Sequence, residues 1–153
     1  MKKIIITVIT GLVFVSAGYA QTPFLETFFD TRARQDGFTY IYAGRTIMNV
    51  KINIPNHVEA MFDDIEYVKI LSTEKNTKET ERKSFVTSLK GVLRGDGFEL
   101  ILKVQEGDEV IETYLKESKR NNSDIVVLID SEKKLSAVWV NGKLKSPTKS
   151  KEK

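Results

Sequence analysis

The sequence predicts an α+β domain, an antiparallel sheet of about four to six strands with two or three helices packed on one face. Three observations carry this. Apolar residues recur at three- and four-residue steps in the first two thirds of the chain, the spacing of a helix face. From Phe98 onward the apolar residues alternate with polar ones or run continuously for five residues, both strand patterns. The segments between these late strands are short and rich in Gly, Asp, Asn and Ser, which suits strands joined as an antiparallel meander.

Thr22-Pro23 reads as an N-cap followed by Pro at the first helical position. Phe24, Leu25, Phe28 and Phe29 then form one stripe, and Gln35-Asp36-Gly37 ends a helix placed at 23–35. Phe38 to Tyr42 is aromatic and β-branched, a strand with Phe38, Tyr40 and Tyr42 on one face and Thr39 and Ile41 on the other. Gly44 to Ile52 fits a short helical turn carrying Ile47 and Met48 but does not define one. Pro55 opens a second short helical pattern through Val58, Met61, Phe62 and Ile65, and Glu66 to Leu71 follows as a strand.

The longest helix has Asn76 as cap and Glu79 three residues on, in the manner of a capping box. Its stripe is Phe85, Val86, Leu89, Val92 and Leu93, and Gly95-Asp96-Gly97 stops it. Phe98 to Val104 and Glu109 to Leu115 then form a hairpin about Glu106-Gly107-Asp108. Ile125 to Ile129 suits a central strand covered on both faces, or one whose outer face is a contact surface. Leu135 to Val140 closes the sheet, and Asn141-Gly142 marks the end of order.

Residues 1–20 have the layout of a secretory signal peptide. Lys2 and Lys3 precede a 12-residue apolar run, Ile4 to Val15, and Gly18 and Ala20 stand at −3 and −1 to a cut before Gln21. A membrane span needs roughly 20 apolar residues, so cleavage after Ala20 is the expectation, with no transmembrane segment left behind. No cysteine follows the run, which argues against a lipoprotein. The expected organisation is a signal peptide at 1–20, a single domain at 21–142 and a disordered lysine-rich tail at 143–153. The expected location is periplasmic or extracellular.

The net charge of +3 misstates the body of the protein. Two lysines lie in the leader and five in the last eleven residues, so 21–142 holds seventeen basic against twenty acidic residues. A nucleic-acid-binding domain needs a basic stripe on its structured elements, and none is visible. The absence of cysteine excludes thiol catalysis, cysteine-ligated zinc and iron–sulfur clusters.

Asp36-Gly37-Phe38-Thr39-Tyr40-Ile41-Tyr42, then Phe62-Asp63-Asp64-Ile65-Glu66-Tyr67-Val68-Lys69-Ile70-Leu71 ahead of the long helix, and the closing Val140-Asn141-Gly142-Lys143-Leu144 resemble a family of small exported Bacteroidetes proteins, the domain-of-unknown-function family 4252. The resemblance covers Leu25 to Leu144. It implies an envelope location and an envelope-sensing role, and brings no catalytic or binding residues with it.

The chemistry-bearing residues give weak signals. His57 is the single histidine, and no G-x-S-x-G motif accompanies it. Asp63, Asp64 and Glu66, and Glu106, Asp108 and Glu109, lack the calcium-loop pattern and read as solvated acidic turns. Gly91, Gly95 and Gly97 follow a helix rather than a strand, which is not the phosphate-loop order. Asn121-Asn122-Ser123 matches a glycosylation acceptor only as a short chance motif. No cofactor and no metal site is expected, and no catalytic residue is assigned. Aromatic residues on a sheet face are mostly core, but a row facing water becomes a binding surface, and Tyr40, Tyr42 and Trp139 are the candidates for one. The expectation is a non-enzymatic module that binds a protein or envelope component. The alternatives are a small carboxylate-dependent hydrolase or lyase, and a structural subunit of an envelope assembly.

Overall fold

The computed structural model describes residues 22–45, 54–73, 77–118 and 121–146. The signal-peptide reading, the Asn76 cap and the Ile47–Met48 turn fall outside them. Nine elements follow in order: α1 (Pro23–Ala33), β1 (Phe38–Gly44), α2 (Asn56–Glu59), β2 (Phe62–Thr73), α3 (Glu79–Gly95), β3 (Glu99–Glu106), β4 (Glu109–Lys116), β5 (Ser123–Asp130) and β6 (Leu135–Leu144). The strands form one antiparallel sheet in the order β1-β2-β6-β5-β4-β3. α3 carries the chain from β2 to the far edge, and the meander β3 to β6 returns to pair with β2.

α1 and α3 lie on one face. Leu25, Phe28 and Phe29 of α1 and Phe85, Leu89 and Leu93 of α3 bury against Leu71, Val126, Leu128, Ala137 and Trp139. α3 ends in a Schellman motif. Phe98 N donates to Leu93 O at 2.9 Å and Gly97 N to Arg94 O at 3.1 Å, with Gly97 at φ +89 and Phe98 folded back into the core beside Leu93. Asp96, at that same turn, caps α1. Its carboxylate accepts from Phe24 N (3.3 Å) and Leu25 N (2.8 Å), the orphan donors of the helix start. Thr22, read from the sequence as the cap, makes no side-chain cap bond.

The opposite face is covered by α2, whose Val58 is buried with Phe62, Val68, Ile125, Val127, Val138 and Val140. Ile125 to Leu128 are therefore buried from both sides. This confirms the covered central strand and removes 125–129 as a contact surface.

Two readings from periodicity are corrected. The second helix stops at Glu59, and Phe62 and Ile65 belong to β2. Register shifts between Phe62 and Asp64 and between Ile65 and Tyr67 break the alternation of two and leave a spacing that imitates a helix. Order does not end at Asn141-Gly142, because β6 continues through Leu144. Gly142 sits against the shifted part of β2, where a Cβ would collide with the Asp64 carbonyl oxygen. The glycine serves a close backbone approach inside a strand, not a turn. Residues 143 and 144, assigned to the tail by the sequence, belong to β6, and 147–153 lie outside the described residues.

Candidate contact surface and its polar support

On the α1 face, near the end of the sheet where β6 finishes and β5 begins, a row of aromatic rings runs from the core to the β1 edge. Phe29 and Trp139 meet edge-on with centroids 5.3 Å apart, Trp139 and Tyr67 at 5.9 Å, and Tyr67 and Tyr42 at 5.9 Å. The register explains the row. Tyr40 pairs Leu71 and Tyr42 pairs Lys69, and Lys69 pairs Trp139, so all of them point to the helix side. Tyr42 is 56% exposed and Tyr40 37%, and Ile41, on the other face, is 46% exposed.

Trp139 is fully buried. Its place among the candidate contact residues is therefore corrected: the alternation that puts it on the tyrosines' face also puts it beneath α1. It is the anchor of the row, and Tyr40 and Tyr42 are its exposed end.

Polar groups hold this row in position. Trp139 Nε1 donates to Asp124 Oδ1 at 2.9 Å, Asn141 Nδ2 donates to the same oxygen at 2.8 Å, and Asn122 Nδ2 donates to Asn141 Oδ1 at 3.0 Å. Burial pushes the Asp124 carboxyl up from its ordinary value, partly opposed by the Asn141 and Trp139 donors. The Lys69 ammonium lies 4.5 Å from the Trp139 ring centroid and 5.2 Å from that of Tyr67, and donates to Glu26 Oε2 at 3.0 Å. A buried ammonium needs such a partner, and the aromatic faces add cation–π attraction. Burial, then the charges of Asp124 and Glu26, raises the Tyr67 hydroxyl well above its ordinary value. Tyr40 is raised by burial first, then by Asp30 and Glu26.

A second buried carboxylate, Glu112, stands beneath α3. Tyr114 OH donates to its Oε1 at 2.6 Å, and Lys90 and Lys103 approach at 3.4 and 3.6 Å. Burial raises its carboxyl, but the Tyr114 bond and the two ammonium groups outweigh burial and hold it below its ordinary value.

The other sequence candidates are dispersed. His57 Nε2 lies 2.9 Å from Thr113 Oγ1 on the α2 face. Asp64 and Glu66 pair with exposed Arg45. Gly107, at φ +59, holds the first turn position of the β3–β4 hairpin, as a type II′ turn requires. Among the described residues no group of three His, Asp or Glu side chains is placed to hold a metal ion, and no helix is long and apolar enough to cross a membrane.

Sequence reasoning missed Asp124, Lys69 and Glu112. One signal was available for Asp124. It shares strand parity with Val126 and Leu128 at the head of a strand read as covered on both faces, so it had to be buried.

Residues 29–148 match the family model described as Domain of unknown function (DUF4252). The chain belongs to the DUF4252 family. No curated protein and no solved structure matches it. The DUF4252 match begins inside α1 and runs past β6, so it includes the aromatic row, Lys69 and Asp124 and leaves Glu26 just outside.

Proposed function

We propose that this DUF4252 chain is a non-enzymatic interaction module of the cell envelope that joins a protein component through the β1 edge. The observation that carries the reading is the exposed end of the aromatic row. Tyr40 and Tyr42 present an uncharged aromatic surface on the α1 side of the β1 edge, with Ile41 exposed on the other face, and the Tyr42–Tyr67 and Tyr67–Trp139 ring contacts tie that surface to the core. Rigid aromatic anchors lose little conformational freedom on binding, which is why they concentrate at interfaces. The buried carboxylates support binding over catalysis. Asp124 accepts from two side-chain donors, and Glu112 is engaged by three side chains, so each is held by a structural task. Export to the envelope rests on the leader pattern at 1–20. Intact mass of the protein recovered from the envelope should show a start at Gln21, and a retained Met1 would remove that part.

Capture from envelope extract tests the binding reading. The protein as bait should retain a stoichiometric protein partner, and Tyr42→Ala should release it while leaving the melting temperature within a few degrees. Equal capture by the variant would move the contact elsewhere. No capture by either folded protein would sink the module reading.

A further inference from the structure

We propose that the occupant of the β1 edge is a second copy of this chain, with the two β1 strands antiparallel about a two-fold axis at Ile41. This rests on the binding role assigned to that edge and names the partner.

Both edges of the sheet lack a partner strand among the described residues, and they are built differently. Natural proteins guard a free edge with charge, proline or a bulge. β3 is guarded: its register shifts between Leu100 and Leu102, and it carries Glu99, Lys103 and Glu106. β1 has none of these. Its seven residues, Phe-Thr-Tyr-Ile-Tyr-Ala-Gly, include no charge and no proline, and its pairing with β2 runs unbroken from Phe38↔Thr73 to Gly44↔Tyr67. A regular, uncharged, apolar edge is a template for another strand.

The order of side chains within β1 selects the occupant. Turned about Ile41, the strand meets itself in full. Tyr40 faces Tyr42 of the other copy and Tyr42 faces Tyr40, giving two aromatic cross-strand pairs. Thr39 faces Ala43 and Phe38 faces Gly44. Ile41 meets its own copy on the axis. A two-fold axis perpendicular to the sheet keeps each face on its own side, so four tyrosines gather on the α1 side and the two isoleucines on the other. This is an isologous, closed contact, which ends at two copies instead of growing into a fibre. One term opposes it. Glu26 and Asp30 of α1 bear on Tyr40, although Glu26 is already paired with Lys69. The seam is one strand long, smaller than a standard interface of about 1,600 Å², so the expected affinity is about micromolar or weaker.

The test is sedimentation velocity on the purified protein across a concentration series. A reversible monomer–dimer equilibrium is expected. Ile41→Lys places like charges opposite each other on the axis and should weaken association at least about tenfold. Ile41→Glu should do the same, and an equimolar mixture of the two should dimerise again as a heterodimer. Because Ile41 is half exposed, both variants should keep the wild-type circular dichroism spectrum and melting temperature. The chain has no cysteine, so register can be read directly. Facing Cα atoms about 4.5–5.5 Å apart are within disulfide reach, and Ile41→Cys should cross-link under mild oxidation. Thr39→Cys, offset from its own copy by about 13 Å, should not. A monomer at every concentration, a dimer indifferent to Ile41→Lys, or equal cross-linking by Thr39→Cys would overturn the proposal. A monomer that still captures an envelope protein through Tyr42 would overturn the second copy alone and leave the binding reading standing.

Discussion

On the α1/α3 face the sheet buries rings and charges together: Phe29, Phe85 and Trp139 pack among Lys69, Asp96, Glu112 and Asp124, which are all four of the buried charged residues among those described. On the α2 face it buries aliphatic side chains around Val58 and Phe62, with Thr113, Ser123 and Ser136 as neutral polar neighbours. Aliphatic packing is tolerant of shape and says little about orientation, whereas a buried charge is stable in one arrangement of donors and no other. The α2 face therefore works as the foundation of the sheet. The helix face fixes where particular rings point, and the contact row emerges from that face at β1.

The comparison breaks first at Trp139. Trp139→Ala removes the largest fully buried side chain together with the Nε1 donor to Asp124, and should destabilise the fold by about 3–5 kcal/mol in urea unfolding. Ile125→Val on the other face removes a methylene alone and should cost about 0.5–1.5 kcal/mol. Trp139→Phe separates volume from polarity. If the polar contact matters as argued, it should cost about 1–3 kcal/mol, because a buried carboxylate loses a donor. A value near zero would reduce the face to packing alone.

Asp96→Ala comes next. Its carboxylate ties the start of α1 to the end of α3, so its loss unpairs two backbone donors of a helix that covers Trp139. The expected change is about 1–2 kcal/mol, with amide exchange rising first at Phe24 and Leu25. Uniform loss of protection along the chain would contradict a local capping role.

This division between the faces was only partly legible in the sequence. Aromatic and β-branched composition identified β1, alternation and the Glu106-Gly107-Asp108 turn identified the β3–β4 hairpin even though every residue of β3 is exposed, the continuous apolar run identified β5, and helical spacing identified α1 and α3. Reading failed where the backbone departs from regularity. The shifted start of β2 turned a strand into an apparent helix at Met61, Phe62 and Ile65, and Gly142 imitated a turn because its need for space comes from Asp64, distant in sequence. At the candidate surface, Tyr40 and Tyr42 were legible as aromatic residues sharing one face of a strand. That Trp139 lies beneath α1 while they do not depends on where the helix stops, which periodicity does not encode. Asp124 was placed with the polar stretch ahead of Ile125 rather than in the strand, and Glu112 looked like an ordinary strand carboxylate, since Asp124's donors come from β6 and two of Glu112's partners from α3 and β3.

A smaller effect sharpens the role of the charges. Asp124 and Glu112 are shifted in opposite directions, so acid should act on them oppositely. The Asp124 carboxyl is raised above 3.8, so the native state holds its proton where the unfolded chain has lost it, and stability falls as pH rises through that window. The Glu112 carboxyl is lowered below 4.5, so its contribution is full above that value and is lost as pH falls through the folded pKa. Urea midpoints between pH 3 and pH 7 should show Glu112→Gln flattening the acid-side loss and Asp124→Asn removing the opposing slope just above 3.8. Identical pH profiles for the two variants would mean that the helix face does not hold its carboxylates as described.

The smallest effect belongs to Arg45, and it serves as the control. Arg45 reaches both Asp64 and Glu66, a pairing that on paper rivals the Lys69–Glu26 contact. Its side chain is 59% exposed and its partners 54% and 46%, whereas the Lys69 side chain is 10% exposed. Water screens the first at both ends, so Arg45→Ala should change stability by no more than about 0.5 kcal/mol, whereas in the second only the Glu26 end, 51% exposed, is open to water. Lys69→Ala should cost several times more, because it strips a buried cation and its packed stem from the faces of Trp139 and Tyr67. Measured side by side at low and high salt, the Arg45 effect should vanish and the Lys69 effect should persist. Equal losses would show that the number of ion pairs, rather than their burial beside the aromatic row, is what stabilises this sheet.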